Sequence, residues 1–220
     1  MWKWTGRAGR WTTRAVFVML AMAVAAHAFT YLYRPFETGN VLAAQFSISG
    51  VDVPLHFFIA ALALLLGPVQ LSARLRRRQP AVHRFLGWLY TVSVLVGSIA
   101  GFSLALNAQG GLWSRTAFVL LALLWPCMTA IGIWRAIAGD LASHRRWMCR
   151  SVALTYSAVT LRLILGVGVA ALHLPFVPVY IASAWLGWSI NLAVCELLLR
   201  WPAMRGRREA VSAELMSASG

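Results

Sequence analysis

Charge is what this sequence has least of. Only 12% of its 220 residues are charged and six are acidic, whereas a soluble domain is about a quarter charged. Cysteine is scarce as well. Cys127, Cys149 and Cys195 are odd in number and show no paired spacing, which excludes a disulfide framework or a thiolate metal motif. A buried cysteine then acts as a small apolar residue. No nucleophile–base motif, phosphate loop or metalloprotease spacing occurs, so hydrolase and nucleotide-driven chemistry have no support.

What is abundant is apolar sequence in long runs. Hydrophobic residues make up 60% of the chain and mean hydropathy is +0.70. A bilayer-spanning helix needs about 20 such residues, and the runs supply that length six times, over 12–33, 54–75, 85–107, 116–138, 147–172 and 177–199. The expected architecture is all-α: one membrane domain over 1–220, an integral bundle of six transmembrane helices with a flexible basic tail over 201–220. Pro54 falls in a first helical turn, where proline is tolerated. Pro126 should kink the fourth span, and Leu174 to Pro178 should form a tight turn.

Orientation follows from the arginines. Seventeen of the 20 basic residues fall in the N-terminal segment, the second-to-third loop, the fourth-to-fifth loop or the tail, against Arg34 and Arg115 on the other side. The positive-inside rule makes the rich side cytoplasmic, hence both termini inside and a multi-pass protein of the inner, cytoplasmic membrane. The +14 net charge calls for no nucleic acid. Arg76, Arg77, Arg78 and the Arg205–Arg208 stretch adjoin spans, where anionic membrane lipids attract basic side chains. The basic start and Ala26-His27-Ala28 resemble a cleavable signal sequence. The run is nevertheless long enough to span, and Phe29, Tyr31 and Tyr33 form an interfacial aromatic belt, so an uncleaved first helix is expected.

Ser93, Gly97 and Gly101 recur every four residues in the third span, and small residues let another backbone approach closely. Gly166 and Gly168, with Ser183 and Gly187, offer further contacts of the same kind. They fit ordinary packing within the bundle; the alternative is a homo-oligomer seam through Gly97 and Gly101.

Polar residues inside the membrane are the candidates for function. Arg162 lies roughly 22 Å into the fifth span at about 1.5 Å per residue, a depth at which a charge is costly and is a functional-site hypothesis by default. Glu196 lies a turn inside the sixth span, with Arg200 at i+4 as its expected partner. Asn191 lies between Arg162 and Glu196 in depth. His83 and His144 open the third and fifth spans on the inner side. On the outer side are His56, His173 and, within the first span, His27.

A lone histidine near a membrane end is usually a hydrogen-bonded interfacial residue. Two at matching depth on separate helices can supply both axial nitrogens of a haem iron. His83 with His144 meets that requirement inside, and His56 with His173 or His27 could meet it outside. His144 and Arg162 are about five helical turns apart, with Met148, Ser151 and Thr155 near the same stripe, so this stripe should face inward.

The segments His83-Arg84-Phe85-Leu86-Gly87, His144 to Ser151 and Thr160-Leu161-Arg162, with Trp185 to Trp188, Asn191 and Glu196, resemble a prokaryotic membrane family catalogued as a domain of unknown function. The resemblance spans roughly 54 to 200 and implies a shared fold and shared polar positions, but no activity. The histidines opening the third and fifth spans, and His83-Arg84-x-x-Gly87, are also similar to the six-helix, ascorbate-reducing b-type cytochromes. Those cytochromes bind a second haem between the second and fourth helices, and the fourth span here has no histidine. A histidine–arginine motif near a methionine resembles, slightly, small proteins that assist haem–copper oxidase assembly. The leading expectation is therefore a membrane redox or redox-assembly protein that binds haem b or a quinone between helices. The alternatives are a non-enzymatic small-molecule or lipid carrier with Arg162 and Asn191 lining its pocket, and a structural scaffold.

Overall fold

A computed structural model describes residues 15–16, 18–26 and 50–218, with side chains through Trp201. The described residues are helical throughout, apart from turns. The helices are α1 (Asp52–Gln70), α2 (Ala73–Arg78), α3 (Pro80–Leu106), α4 (Gly111–Ile137), α5 (Leu141–Thr155), α6 (Ser157–Leu165), a π-helical segment (Gly166–Ala171) and α7 (Phe176–Ala218). Five stretches are long and apolar enough to cross a membrane: α1, α3, α4, the run Leu141–Ala171, and Phe176–Trp201. Of the expected first span, residues 15–16 and 18–26 are helical. The rest of it, including His27, lies outside the described residues.

Each boundary has a local cause. Pro80 stands in the first turn of α3, where its missing N–H goes unmissed. Gly110, at φ 81°, adopts the left-handed conformation that starts α4, which costs glycine nothing. Asp140 caps α5, accepting from the Ser143 N–H at 2.9 Å. Pro126 lies inside α4 without ending it. The expected fifth span is one run of three helical pieces, broken at Tyr156 and widened over Gly166–Ala171, where glycines weaken α-helical preference. It closes on His173, at φ 55°. The helix of the sixth span does not stop near 199 but continues to Ala218, through Ala, Glu, Leu, Met and Arg, which are good helix formers.

Two corrections follow for the histidines. Helices α3 and α5 start at Pro80 and Leu141, not near 85 and 147. Apolar runs mark what lies in lipid, whereas capping and proline chemistry set where a helix begins. His83 and His144 therefore sit inside their helices, each four residues into the first turn.

Helix α3 packs between α1 and α4; α5 packs on α4, and α7 covers α4, α5 and α6. Tyr90, Val94, Leu64, Trp125, Val152 and Leu154 form the core, and Ala21 of the N-terminal helical stretch joins it. Gly97 and Gly101 serve contacts within the chain: a Cβ on Gly97 would touch Trp125 and Ile59, and one on Gly101 would lie 2.9 Å from the His56 ring. At most 39% of the most apolar window of any span is buried. The bundle thus turns a largely apolar surface outward, as a bilayer requires.

Candidate functional site

His83 and His144 line one cavity of about 440 Å³ at the arginine-rich end of the bundle. Helix α3 brings the first and α5 the second, each from its opening turn. The remaining walls are mainly apolar, from Trp88 on α3, Ile133 and Ile137 on α4, and Met148 and Val152 on α5. Arg76, Arg84 and Arg145 add positive charge.

Each ring is held at its Nδ1. His144 Nδ1 lies 2.8 Å from the carbonyl oxygen of Gly132, and a carbonyl can only accept, so Nδ1 carries the proton and Nε2 keeps its lone pair. Gly132 makes this possible by close approach, since a Cβ there would lie 2.8 Å from Met148 Sδ. His83 is held by Gln70, the last residue of α1. The Gln70 amide lies between two backbone groups of fixed polarity, the His83 carbonyl and the Gly87 N–H. Satisfying both turns its NH2 towards His83, within 3.2 Å of the carbonyl and 3.1 Å of Nδ1, while its oxygen accepts from Gly87 N–H at 3.1 Å.

A layer of hydroxyls lies two turns deeper. Tyr90 Oη is 2.7 Å from Ser151 Oγ and 2.8 Å from Thr155 Oγ1. Trp125 Nε1 donates to Thr155 Oγ1 at 2.9 Å, and Thr129 Oγ1 is 2.7 Å from Ser151 Oγ. Ser151 and Thr155 are buried and inward-facing, as their stripe implied. The layer contains no carboxylate, histidine or lysine, so none of its groups changes charge near neutrality. Its chemistry is that of a neutral clamp joining α3, α4 and α5.

The deep polar residues occupy a different flank. Arg162 donates to the Ala158 carbonyl at 3.0 Å. Asn191 bonds protein groups directly, accepting from Thr160 Oγ1 at 2.8 Å and donating to the Ala153 carbonyl at 3.2 Å. Glu196 does meet Arg200, at 3.6 Å, but its principal partner is Arg150 on α5, which grips both carboxylate oxygens. Arg150 also lies over the Trp147 ring, 4.7 Å from its centroid. Spacing along one helix could not reveal a partner on another.

At the opposite end, His56 Nδ1 donates to the Gly97 carbonyl at 2.8 Å. His173 is exposed at its left-handed turn. The π segment before it packs on α6 and α7, not on α1, so His173 is not brought to His56. Among the described residues no group of three or more His, Cys, Asp or Glu is placed to hold a metal ion.

Gln70, Gly132, Tyr90 and Arg150 are missing from the sequence-derived candidates. Tyr90 had a signal: it follows His83 by seven residues, as Ser151 follows His144. If two histidines share a layer, residues two turns below them on the same faces must meet as well.

A family model described as "Predicted membrane protein (DUF2306)" matches residues 53–199, and the chain belongs to that family. No curated protein and no solved structure matches it significantly.

Proposed function

We propose that this family member is a membrane redox protein whose redox group, a haem b or a quinone, sits in the cavity between His83 and His144. The observation that carries this reading is the cavity itself. Two imidazoles from separate helices line it, each with Nδ1 engaged by its own chain and Nε2 left over. Paired histidine nitrogens serve either an iron or the oxygens of a quinone headgroup. The mainly apolar walls suit a hydrophobic ring, and Arg76, Arg84 and Arg145 would balance negative charge on a bound group. The bound group would supply the electron chemistry, while the chain positions and shields it. The same reading places this end at the cytoplasmic face of the inner membrane, in a bundle of six spans, since that is where the arginines gather.

The test is a visible absorption spectrum of the detergent-purified protein before and after hemin, with a titration by decylubiquinone alongside. One of the two groups is expected to bind, and His83→Ala or His144→Ala to abolish that binding. If neither binds, the redox reading fails and a scaffold or carrier role takes its place.

A further inference from the structure

We infer that Gln70 is a positioning residue that fixes the polarity of the cavity, so that it takes a quinone or quinol headgroup through hydrogen bonds rather than a bis-imidazole haem iron. The inference rests on the redox reading above and narrows it to one class of ligand.

Proton placement at the two histidines decides which ligand the cavity suits. At His144 the Gly132 carbonyl requires Nδ1–H, which leaves a lone pair on Nε2. At His83 the requirement is reversed. One orientation of the Gln70 amide suits both neighbours, because the His83 carbonyl can only accept and the Gly87 N–H can only donate. Its NH2 therefore lies against His83 Nδ1 as a donor, at 3.1 Å. Nδ1 must then hold a lone pair, and the proton of the neutral ring sits on Nε2. Gln70 is itself 9% exposed, so water does not readily take over its bonds, and turning the amide would set its oxygen against the His83 carbonyl and its NH2 against the Gly87 N–H.

The cavity thus presents one donor, His83 Nε2–H, and one acceptor, His144 Nε2. Axial ligation of iron needs two lone pairs, and this arrangement supplies only one. A hydroxyl or carbonyl oxygen meets it directly: a quinone oxygen accepts from His83, and a quinol hydroxyl can also donate to His144. The walls suit such a ligand. Trp88 on α3 and Ile137 on α4 are 58% and 77% exposed on the apolar outer surface and line the cavity as well, which gives a ring with a lipid-soluble tail a route in from the bilayer.

The experiment uses the full-length protein in detergent, labelled with ¹⁵N-histidine and assigned with His83→Asn and His144→Asn. The expected spectrum shows Nδ1 unprotonated at His83 and protonated at His144, and decylubiquinol shifts Nε2 of both. Gln70→Glu keeps an oxygen for the Gly87 N–H but sets a carboxylate against His83 Nδ1, drawing the proton there. Decylubiquinol affinity should then fall about tenfold, and added hemin should yield a bis-imidazole spectrum that wild type lacks. A merely structural glutamine would produce no such exchange of ligands. A protonated Nδ1 at His83 in wild type, or a wild-type haem band that needs both histidines, overturns this inference and leaves the redox reading standing. Failure of both decylubiquinol and hemin to bind overturns both.

Discussion

His144 and His56 lie at opposite ends of the bundle and are held by the same bond. In each, Nδ1–H donates at 2.8 Å to a glycine carbonyl on a neighbouring helix, Gly132 for one and Gly97 for the other. They differ in what surrounds the rest of the ring. His144 opens on a cavity, whereas the His56 ring fills the space a side chain on Gly101 would need. An imidazole tied to a carbonyl is therefore not by itself a ligand site. Whether its second nitrogen has room in front of it decides what it can do, and that room is set by residues far away in sequence.

Alanine at each position gives crossed outcomes. His56→Ala empties the space its ring fills and removes a part-buried hydrogen bond, so unfolding should become easier by about 2 kcal/mol, with ligand binding at the other end retained. His144→Ala should cost only about 1 kcal/mol, one hydrogen bond's net worth, yet abolish binding. Denaturation in detergent, paired with the quinone and hemin titrations, reads both. If His56→Ala abolished binding while leaving the unfolding midpoint alone, the comparison would be broken and His56 would belong to a site.

The hydroxyl layer sharpens the same distinction. Tyr90→Phe keeps the ring and removes an oxygen in contact with Ser151 and Thr155, leaving those two hydroxyls short of a partner in a buried place. The expected loss is about 1 to 2 kcal/mol of stability, with ligand affinity changed less than twofold. A variant of unchanged stability that no longer bound ligand would move Tyr90 from the clamp into the site.

How far sequence carried this protein depends on the range of the signal. Hydropathy runs located five long apolar helices because a bilayer imposes a length on each helix separately. They misplaced the starts of α3 and α5, since Pro80 and Asp140 act through helix-end chemistry and not through hydropathy. The sharing of one cavity by His83 and His144 was legible because both open spans on the same side, so depth alone implied proximity. Gln70 and Arg150 were not legible. The role of Gln70 depends on how α1 meets α3, and Arg150 reaches Glu196 from α5 across to α7. Such contacts are properties of helix rotation, on which no single run of residues bears.

The smallest expected effect lies beside the cavity, at the cap of α5. The Asp140 carboxylate is held below its ordinary range because the Ser143 side chain and backbone N–H donate to it; desolvation opposes this, and Arg135 and Arg146 assist. A carboxyl whose folded pKa is depressed releases its proton more readily when folded. Its stabilisation is therefore complete above the unfolded value, near 3.8, and is lost as pH falls through the lower folded value. Because Asp140 is exposed and its contact with Arg135 is long, at 3.7 Å, the cap and not the ion pair should carry the effect. Asparagine caps a helix about as well and does not titrate. The melting midpoint of wild type, measured relative to Asp140→Asn, should hold steady well above pH 3.8 and drop as the pH falls below it. His144 follows Asp140 by four residues, so loosening of the first turn of α5 would also loosen the hold on His144. If wild type and Asp140→Asn respond to acid identically, the cap does not hold that turn, and the placing of His144 rests on the Gly132 carbonyl alone.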